Sequence, residues 1–223
     1  MGNEREIKLR IEDLPALRGS LRKLGARVVK LRVHERNALF DTPKAVLAKR
    51  EELLRIRTER TVGGRGADGS RSVLTFKRPV PRLAGSGKGE THKVREEIEL
   101  GISDPTALVR IFEGLGMRQW FQYEKFRTTF ALTGAQPWAR GLLLELDNTP
   151  IGIFLELEGP ASAIDRAAHS LGFAKRDYVV ANYMVLYREY CRRRGEKPRD
   201  MLFARTLAKR KRRAGRKKVK KFS

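Results

Sequence analysis

The stretch Glu4-Arg5-Glu6-Ile7-Lys8 sets a charged side chain at every second position, Glu4, Glu6 and Lys8. On a β-strand, residues i, i+2 and i+4 share one face, so these three project to the same side. Far downstream, Phe154-Leu155-Glu156-Leu157-Glu158-Gly159 repeats the device with Glu156 and Glu158. The same spacing recurs as Arg55-x-Arg57, Thr75-x-Lys77, Arg95-x-Glu97-x-Glu99, Lys125-x-Arg127 and Glu145-x-Asp147. A single strand of this kind is explained by a solvated face on a half-buried strand. Seven such segments in one chain predict instead a common charged surface to which many strands contribute.

The surrounding sequence punctuates these segments. Residues 4–12 read as a strand, and Asp13-Leu14-Pro15 opens a helix, with Asp13 as N-cap and Leu17, Leu21 and Leu24 as its apolar stripe up to Gly25. Strands are predicted over 27–40, 53–61, 72–78, 93–100, 118–132, 141–148 and 152–159. Asp41-Thr42-Pro43-Lys44 turns the chain, and Leu47 falls in a short irregular or helical piece. The glycine-rich stretch after Val62 reads as a hairpin tip rather than a phosphate loop, because no Gly-Lys-Ser/Thr follows and no helix begins there. A second glycine-rich connection runs from Leu83 to Gly89. Asp104-Pro105 starts another helix, and two more follow at Ser162–Leu171 and from Val179 to about Arg194. Tyr183, Leu186, Tyr187 and Tyr190 lie on one side of the last helix and read as packing residues. Eight strands joined largely by short turns predict antiparallel pairing, and such a sheet can close into a barrel with either face inside. The expected class is α+β, mainly antiparallel β, with flanking helices.

At 223 residues with 40% hydrophobic side chains, the chain is large enough for one substantial domain with a genuine core. The net charge of +23 points to an anionic partner. Eleven Lys or Arg and no acid fall in residues 204–223, which leaves +12 on residues 1–203 and makes the body basic in its own right. Cys191 is the lone cysteine, which excludes an intrachain disulfide and fits a reducing cytosol. No apolar run reaches the length of a membrane span or a signal peptide, so a soluble cytoplasmic protein without membrane contact is expected.

Taken in order, Glu4-x-Glu6-x-Lys8, Phe40-Asp41-Thr42-Pro43, Leu53-Leu54-Arg55-Ile56-Arg57, Thr75-Phe76-Lys77-Arg78, Arg95-Glu96-Glu97-Ile98-Glu99, Lys125-Phe126-Arg127, Leu146-Asp147 and the Gly152–Gly159 stretch resemble the CYTH family of triphosphate tunnel metalloenzymes. The resemblance extends from Glu4 to about Tyr187. It implies a closed eight-stranded antiparallel barrel with a charged tunnel, spanning residues 1–195, in which a triphosphate is bound with Mg²⁺ or Mn²⁺. Members hydrolyse thiamine triphosphate, nucleoside triphosphates or tripolyphosphate, and some convert ATP to cyclic AMP.

The chemistry of the residues agrees. A triphosphate carries roughly four negative charges, and removing it from water demands cations and donors on several sides. Lys8, Arg55, Arg57, Lys77, Lys125 and Arg127 come from four strands and are the expected phosphate ligands. Carboxylates beside an anion repel it unless a cation intervenes, so Glu4, Glu6, Asp147, Glu156 and Glu158 are the expected metal ligands. The three histidines and one cysteine have no zinc-like spacing, which leaves oxygen ligands and hence Mg²⁺ or Mn²⁺. The alternative, acids and bases that only neutralise one another, is disfavoured because buried ion pairs seldom repay their desolvation. Glu6, Lys8 and Lys77 are the candidate catalytic groups, with the general base left open.

Hydrolysis is the first expectation and cyclisation of ATP the second; this chain has no His-Phe pair ahead of Glu4 of the kind that marks cyclases of the family. A non-catalytic module binding RNA or polyphosphate is the third, and the acid set counts against it. Residues 196–223 read as a disordered basic tail, with a nascent helix over Met201–Arg213, for contact with RNA, DNA or polyphosphate.

Overall fold

The computed structural model describes residues 2–63, 69–80, 92–132 and 136–204. Eight strands, β1 (Gly2–Ile11), β2 (Ala26–Asp41), β3 (Leu53–Thr61), β4 (Ser70–Pro79), β5 (Lys93–Ile102), β6 (Arg118–Leu132), β7 (Leu143–Thr149) and β8 (Gly152–Glu158), form a closed barrel in the order β1-β5-β4-β3-β2-β6-β7-β8. Every neighbouring pair is antiparallel. The β3–β4 hairpin forms as expected, pairing Arg60 with Ser70, but its glycine-rich tip and the connection around 83–89 lie outside the described residues.

The barrel is inverted with respect to a filled one: its hydrophobic core lies on the outer face, under the helices. Ile7, Leu9 and Ile11 of β1, Leu144 of β7 and Leu155 and Leu157 of β8 point away from the lumen, because they alternate with the charged positions. Helices α1 (Leu14–Lys23) and α4 (Ala161–Ser170) cover them with Leu17, Leu21, Ile164 and Ala167. Complete burial of each leucine contributes about 1.5–3 kcal/mol, so the outer layer, not the charged interior, carries the stability. Helix α3 (Pro105–Gly114) seals a second cluster, in which Phe112 packs on Phe40 and Ile56. Asp13 and Asp104 cap α1 and α3 as the sequence predicts, accepting from Ala16 N–H and from Thr106 and Ala107 N–H. The piece around Leu47 is a four-residue helix, α2 (Val46–Lys49).

The last helix, α5, starts at Tyr183 rather than Val179 and runs to Arg193. Asn182 caps it, accepting from Val185 N–H, while Val179 exchanges two backbone hydrogen bonds with Lys8 and extends the β1 edge where β5 stops. A similar patch corrects the expected start of the disordered tail at residue 196. Met201 is fully buried, bridges Tyr123 in parallel, donates to Gln122 O and accepts from Glu124 N–H. Asp200 accepts from Gln122 N–H, and the Phe203 ring lies 5.1 Å from that of Phe126. Met201 and Leu202 bring apolar surface into an otherwise basic stretch, and the exposed edge of β6 beyond its pairing with β7 takes them up. The basic residues from Arg205 onward lie outside the described residues.

Candidate functional site in the barrel lumen

A tunnel of about 250 Å³ occupies the lumen. All six expected phosphate ligands, Lys8, Arg55, Arg57, Lys77, Lys125 and Arg127, line it, as do Glu4, Glu6, Glu156 and Glu158. Strand register accounts for the gathering: Glu6 lies opposite Glu158 and Lys8 opposite Glu156 across β1 and β8, while Lys77 lies opposite Glu97 across β4 and β5. Gly159 ends β8 where only glycine fits, at φ 148° and with room for a Cβ only 2.7 Å from the Gly141 carbonyl oxygen.

Asp147 is not in the tunnel wall. It is fully buried behind it, and both of its oxygens are taken: Arg127 Nε donates to Oδ1 at 2.7 Å, while Arg127 Nη2, Lys125 Nζ and the Tyr183 hydroxyl donate to Oδ2 at 2.6, 2.9 and 2.7 Å. Asp147 is therefore placed to orient Lys125 and Arg127 rather than to face a ligand, and its neighbour Glu145 faces the tunnel instead. The i, i+2 alternation puts both acids on one face but does not tell how deep along the barrel each sits. Glu35 of β2 adds a further acid behind the same cations, 3.6 Å from Lys125 and 3.9 Å from Arg127. Burial opposes its charge, but Lys125, Arg127, Arg57 and Arg55 overcome that and hold its carboxyl down at about 2.

Tyr183 sits in the tunnel as well as in the packing of α5. The Lys8 and Lys125 ammonium groups lie 5.5 and 5.3 Å from its ring centroid, within cation–π range, and the ring meets Phe154 edge-on. Spacing along α5 could not separate this tyrosine from its packing neighbours, because all share the helix stripe. Lys93 and Arg95 of β5 also line the tunnel, and Lys93 donates to Glu6 at 2.7 Å.

The remaining acids are held by cations to different degrees. Glu4 accepts from Lys77 at 2.7 and 2.5 Å, Glu6 from Lys8 at 3.0 Å, and Glu156 from Arg127 at 2.5 Å. Burial works against ionisation of Glu6, yet Lys8 and Lys93 keep its carboxyl well below the usual range. Glu158 differs. Among the described residues it forms no ion pair, and burial together with Glu145, Glu4 and Glu6 pushes its carboxyl up to about 8, against a weaker pull from Lys77. A carboxylate crowded by carboxylates lacks a positive charge. Among the described residues no three potential ligands are gathered as a ready-made metal centre, since lysines hold Glu4 and Glu6. The hard oxygen donors converging on Glu158 nevertheless fit a divalent cation of the Mg²⁺ or Mn²⁺ kind.

Comparison with known proteins gives the same architecture. Solved structures of a candidate adenylate cyclase from Vibrio parahaemolyticus (TM-score 0.63, 16% identity, 81% of this chain and 94% of that one) and of a protein from Pyrococcus horikoshii (TM-score 0.65, 22% identity, 84% and 99%) share the fold. So does that of a candidate adenylyl cyclase from Hippeastrum described as having a dominant triphosphatase activity (TM-score 0.52, 22% identity, 87% and 97%). In sequence, a candidate adenylate cyclase of Methanocaldococcus jannaschii is 29% identical over 164 residues, covering 73% of this chain and 79% of that protein. The CYTH domain profile matches residues 2–171, which carry every strand of the barrel, and the chain belongs to the CYTH family.

Proposed function

We propose that this protein is a divalent-metal-dependent triphosphatase that releases phosphate from a triphosphate-bearing substrate held in the tunnel. The observation that carries the reading is the lumen itself, where six cations from β1, β3, β4 and β6 face a shared cavity beside an acid corner short of positive charge. A lumen built for stability alone would pair its charges, because an uncompensated buried carboxylate costs free energy.

In the free protein Lys77 is held by Glu4 and Lys8 by Glu6. Phosphate oxygens entering the tunnel would exchange with those carboxylates, and Arg55, Arg57, Lys125 and Arg127 would supply charge-assisted hydrogen bonds along the phosphate chain. Asp147, Glu35 and Tyr183 would hold Lys125 and Arg127 in place, so that the donors need no reorganisation as charge develops on the transferred phosphoryl group. Glu4, Glu6, Glu156 and Glu158 would hold the cation, which when bound neutralises charge on the phosphate oxygens. Glu6, anionic at neutral pH, is placed to orient a water once Lys8 and Lys93 turn to phosphate.

The name of the M. jannaschii relative favours a second reading, cyclisation of ATP, in which the ribose 3′-hydroxyl attacks the α-phosphorus and pyrophosphate leaves. The triphosphatase activity described for the Hippeastrum protein favours hydrolysis over cyclisation. Incubation with ATP, thiamine triphosphate and tripolyphosphate in Mg²⁺ or Mn²⁺, resolving all products, separates the two. Orthophosphate that disappears with a chelator is expected. Cyclic AMP with stoichiometric pyrophosphate, and no orthophosphate from any of the three, would replace hydrolysis by cyclisation.

A further inference from the structure

Beside the tunnel lies a larger cavity of about 860 Å³ that shares Leu53, Lys93, Arg95 and Asn182 with it, so that the two are continuous at that wall. Its chemistry is different. Where the tunnel is lined by charge, this vestibule presents Leu39, Phe40, Trp120 and Met184 together with Glu51 and Glu52.

Two features of the backbone build it. Leu39 pairs with Phe121 and Phe40 with Gln119, so Trp120 is the extra residue of a β-bulge between β2 and β6. Bulges of this kind re-aim a side chain and recur beside functional sites. Trp120 is 49% exposed and, among the described residues, stacks on no other ring, which leaves a large aromatic face without a structural partner. On the opposite side, Ala45 and Glu51 both adopt φ of 57°, the left-handed region that non-glycine residues avoid, and bracket α2. Asp41 fixes this turn by accepting from the N–H groups of Thr42, Leu47 and Ala48 at 2.7, 3.0 and 2.9 Å, and Arg95 donates to the Glu51 carbonyl oxygen. Strain of this kind persists only where its surroundings over-determine it, and it clusters at ligand clamps. Among the described residues neither Glu51 nor Glu52 forms a side-chain ion pair, so the held turn offers the vestibule two acceptors without donors.

We infer that the vestibule takes the organic end of the triphosphate, a planar heterocycle bearing N–H donors, with its face on Trp120 and its donors toward Glu51 and Glu52. The inference rests on the tunnel being a triphosphate site, since Lys93 and Arg95 at the shared wall are where a ring and its phosphates would part. An apolar wall with a half-exposed tryptophan gains from covering a ring and nothing from water, and two free carboxylates select donors over acceptors. The preferred substrate is accordingly an organic triphosphate and not bare tripolyphosphate.

The test is the ratio of kcat/KM for ATP and for thiamine triphosphate to that for tripolyphosphate, in wild type, Trp120→Ala, Trp120→Phe and Glu52→Gln. At least one organic substrate is expected to exceed tripolyphosphate in wild type. For that substrate the ratio should fall tenfold or more in Trp120→Ala through KM, be largely restored in Trp120→Phe, and fall several-fold in Glu52→Gln. Calorimetric binding of tripolyphosphate by each variant shows that the tunnel is intact. A ratio that does not change in Trp120→Ala, or a wild type that prefers tripolyphosphate to both organic substrates, overturns the vestibule while leaving the triphosphatase standing. Absence of saturable tripolyphosphate binding by wild type would instead bring down the tunnel reading, and the vestibule with it.

Discussion

Two acid corners of the same lumen are built from the same residue types and end in opposite electrostatic states. Around Asp147, on the β6–β7 side, four donor contacts from Arg127, Lys125 and Tyr183 occupy both carboxylate oxygens. Around Glu158, on the β1–β8 side, the nearest groups are other acids, and the carboxyl is pushed up to about 8. The Asp147 corner is complete without a ligand and serves to hold cations in position. The Glu158 corner is complete only when a positive charge arrives. A charged lumen is thus divided into scaffolding and site, a division made by geometry and invisible in composition.

Substitution at the two corners should separate them most sharply. Asp147→Ala leaves Lys125 and Arg127 buried without their main counter-charge, and is expected to cost about 3–5 kcal/mol of stability. Glu158→Gln should leave the stability of the metal-free protein unchanged or slightly raised, because it relieves repulsion, while removing metal-dependent turnover. Chemical denaturation with and without Mg²⁺ reads both, and equal destabilisation by the two variants would erase the distinction.

Acid should act first on the completed side. The carboxyl of Glu35 is held at about 2 against an ordinary value of 4.5, so its contribution is fully present above about pH 4.5 and is lost as pH falls toward 2. By linkage that contribution is on the order of 3 kcal/mol. The slope of unfolding free energy between pH 4.5 and 2 should be shallower in Glu35→Gln than in wild type; parallel slopes would show that Glu35 is not held by the cations around it.

On the wall facing the acid corner, Arg57→Ala and Lys77→Ala each remove a charge-assisted contact and should weaken tripolyphosphate binding by about 1.5–3 kcal/mol. Affinities within twofold of wild type would mean that these side chains do not meet phosphate. The smallest effect is expected from removing residues 205–223, which should leave turnover and melting temperature nearly unchanged but weaken salt-sensitive binding to RNA or long polyphosphate. Truncation before Asp200 is a different experiment, because it also removes the buried Met201.

The barrel and most of its lining were legible because charge at every second residue survives translation into a strand face. Glu4, Glu6, Lys8, Arg55, Arg57, Lys77, Lys125, Arg127, Glu156 and Glu158 all reach the tunnel for that reason. Asp147 was placed on the correct face, but alternation gives no depth, so its position behind the wall was not legible. Glu35 belongs to a strand whose other lumen positions include the uncharged Asn37, and it escaped notice. Tyr183 enters from a helix, where the 3.6-residue period makes a tunnel residue look like a packing residue. The β6-edge segment at 200–203 was hidden by the basic composition around it, although Met201-Leu202-Phe203 is an apolar run that needs burial. The bulge at Trp120 depends on register between two strands, which one strand's sequence does not contain.

The most direct test of the central claim is calorimetric titration of tripolyphosphate into the protein with and without Ca²⁺ as a cation expected to bind without supporting turnover, in wild type and in Glu158→Gln. If the Glu158 corner is the cation site of a triphosphate tunnel, wild type binds one tripolyphosphate per chain and the cation tightens that binding, whereas Glu158→Gln retains binding through the six lumen cations but loses the increment due to the cation. An increment of equal size in both proteins would contradict the account.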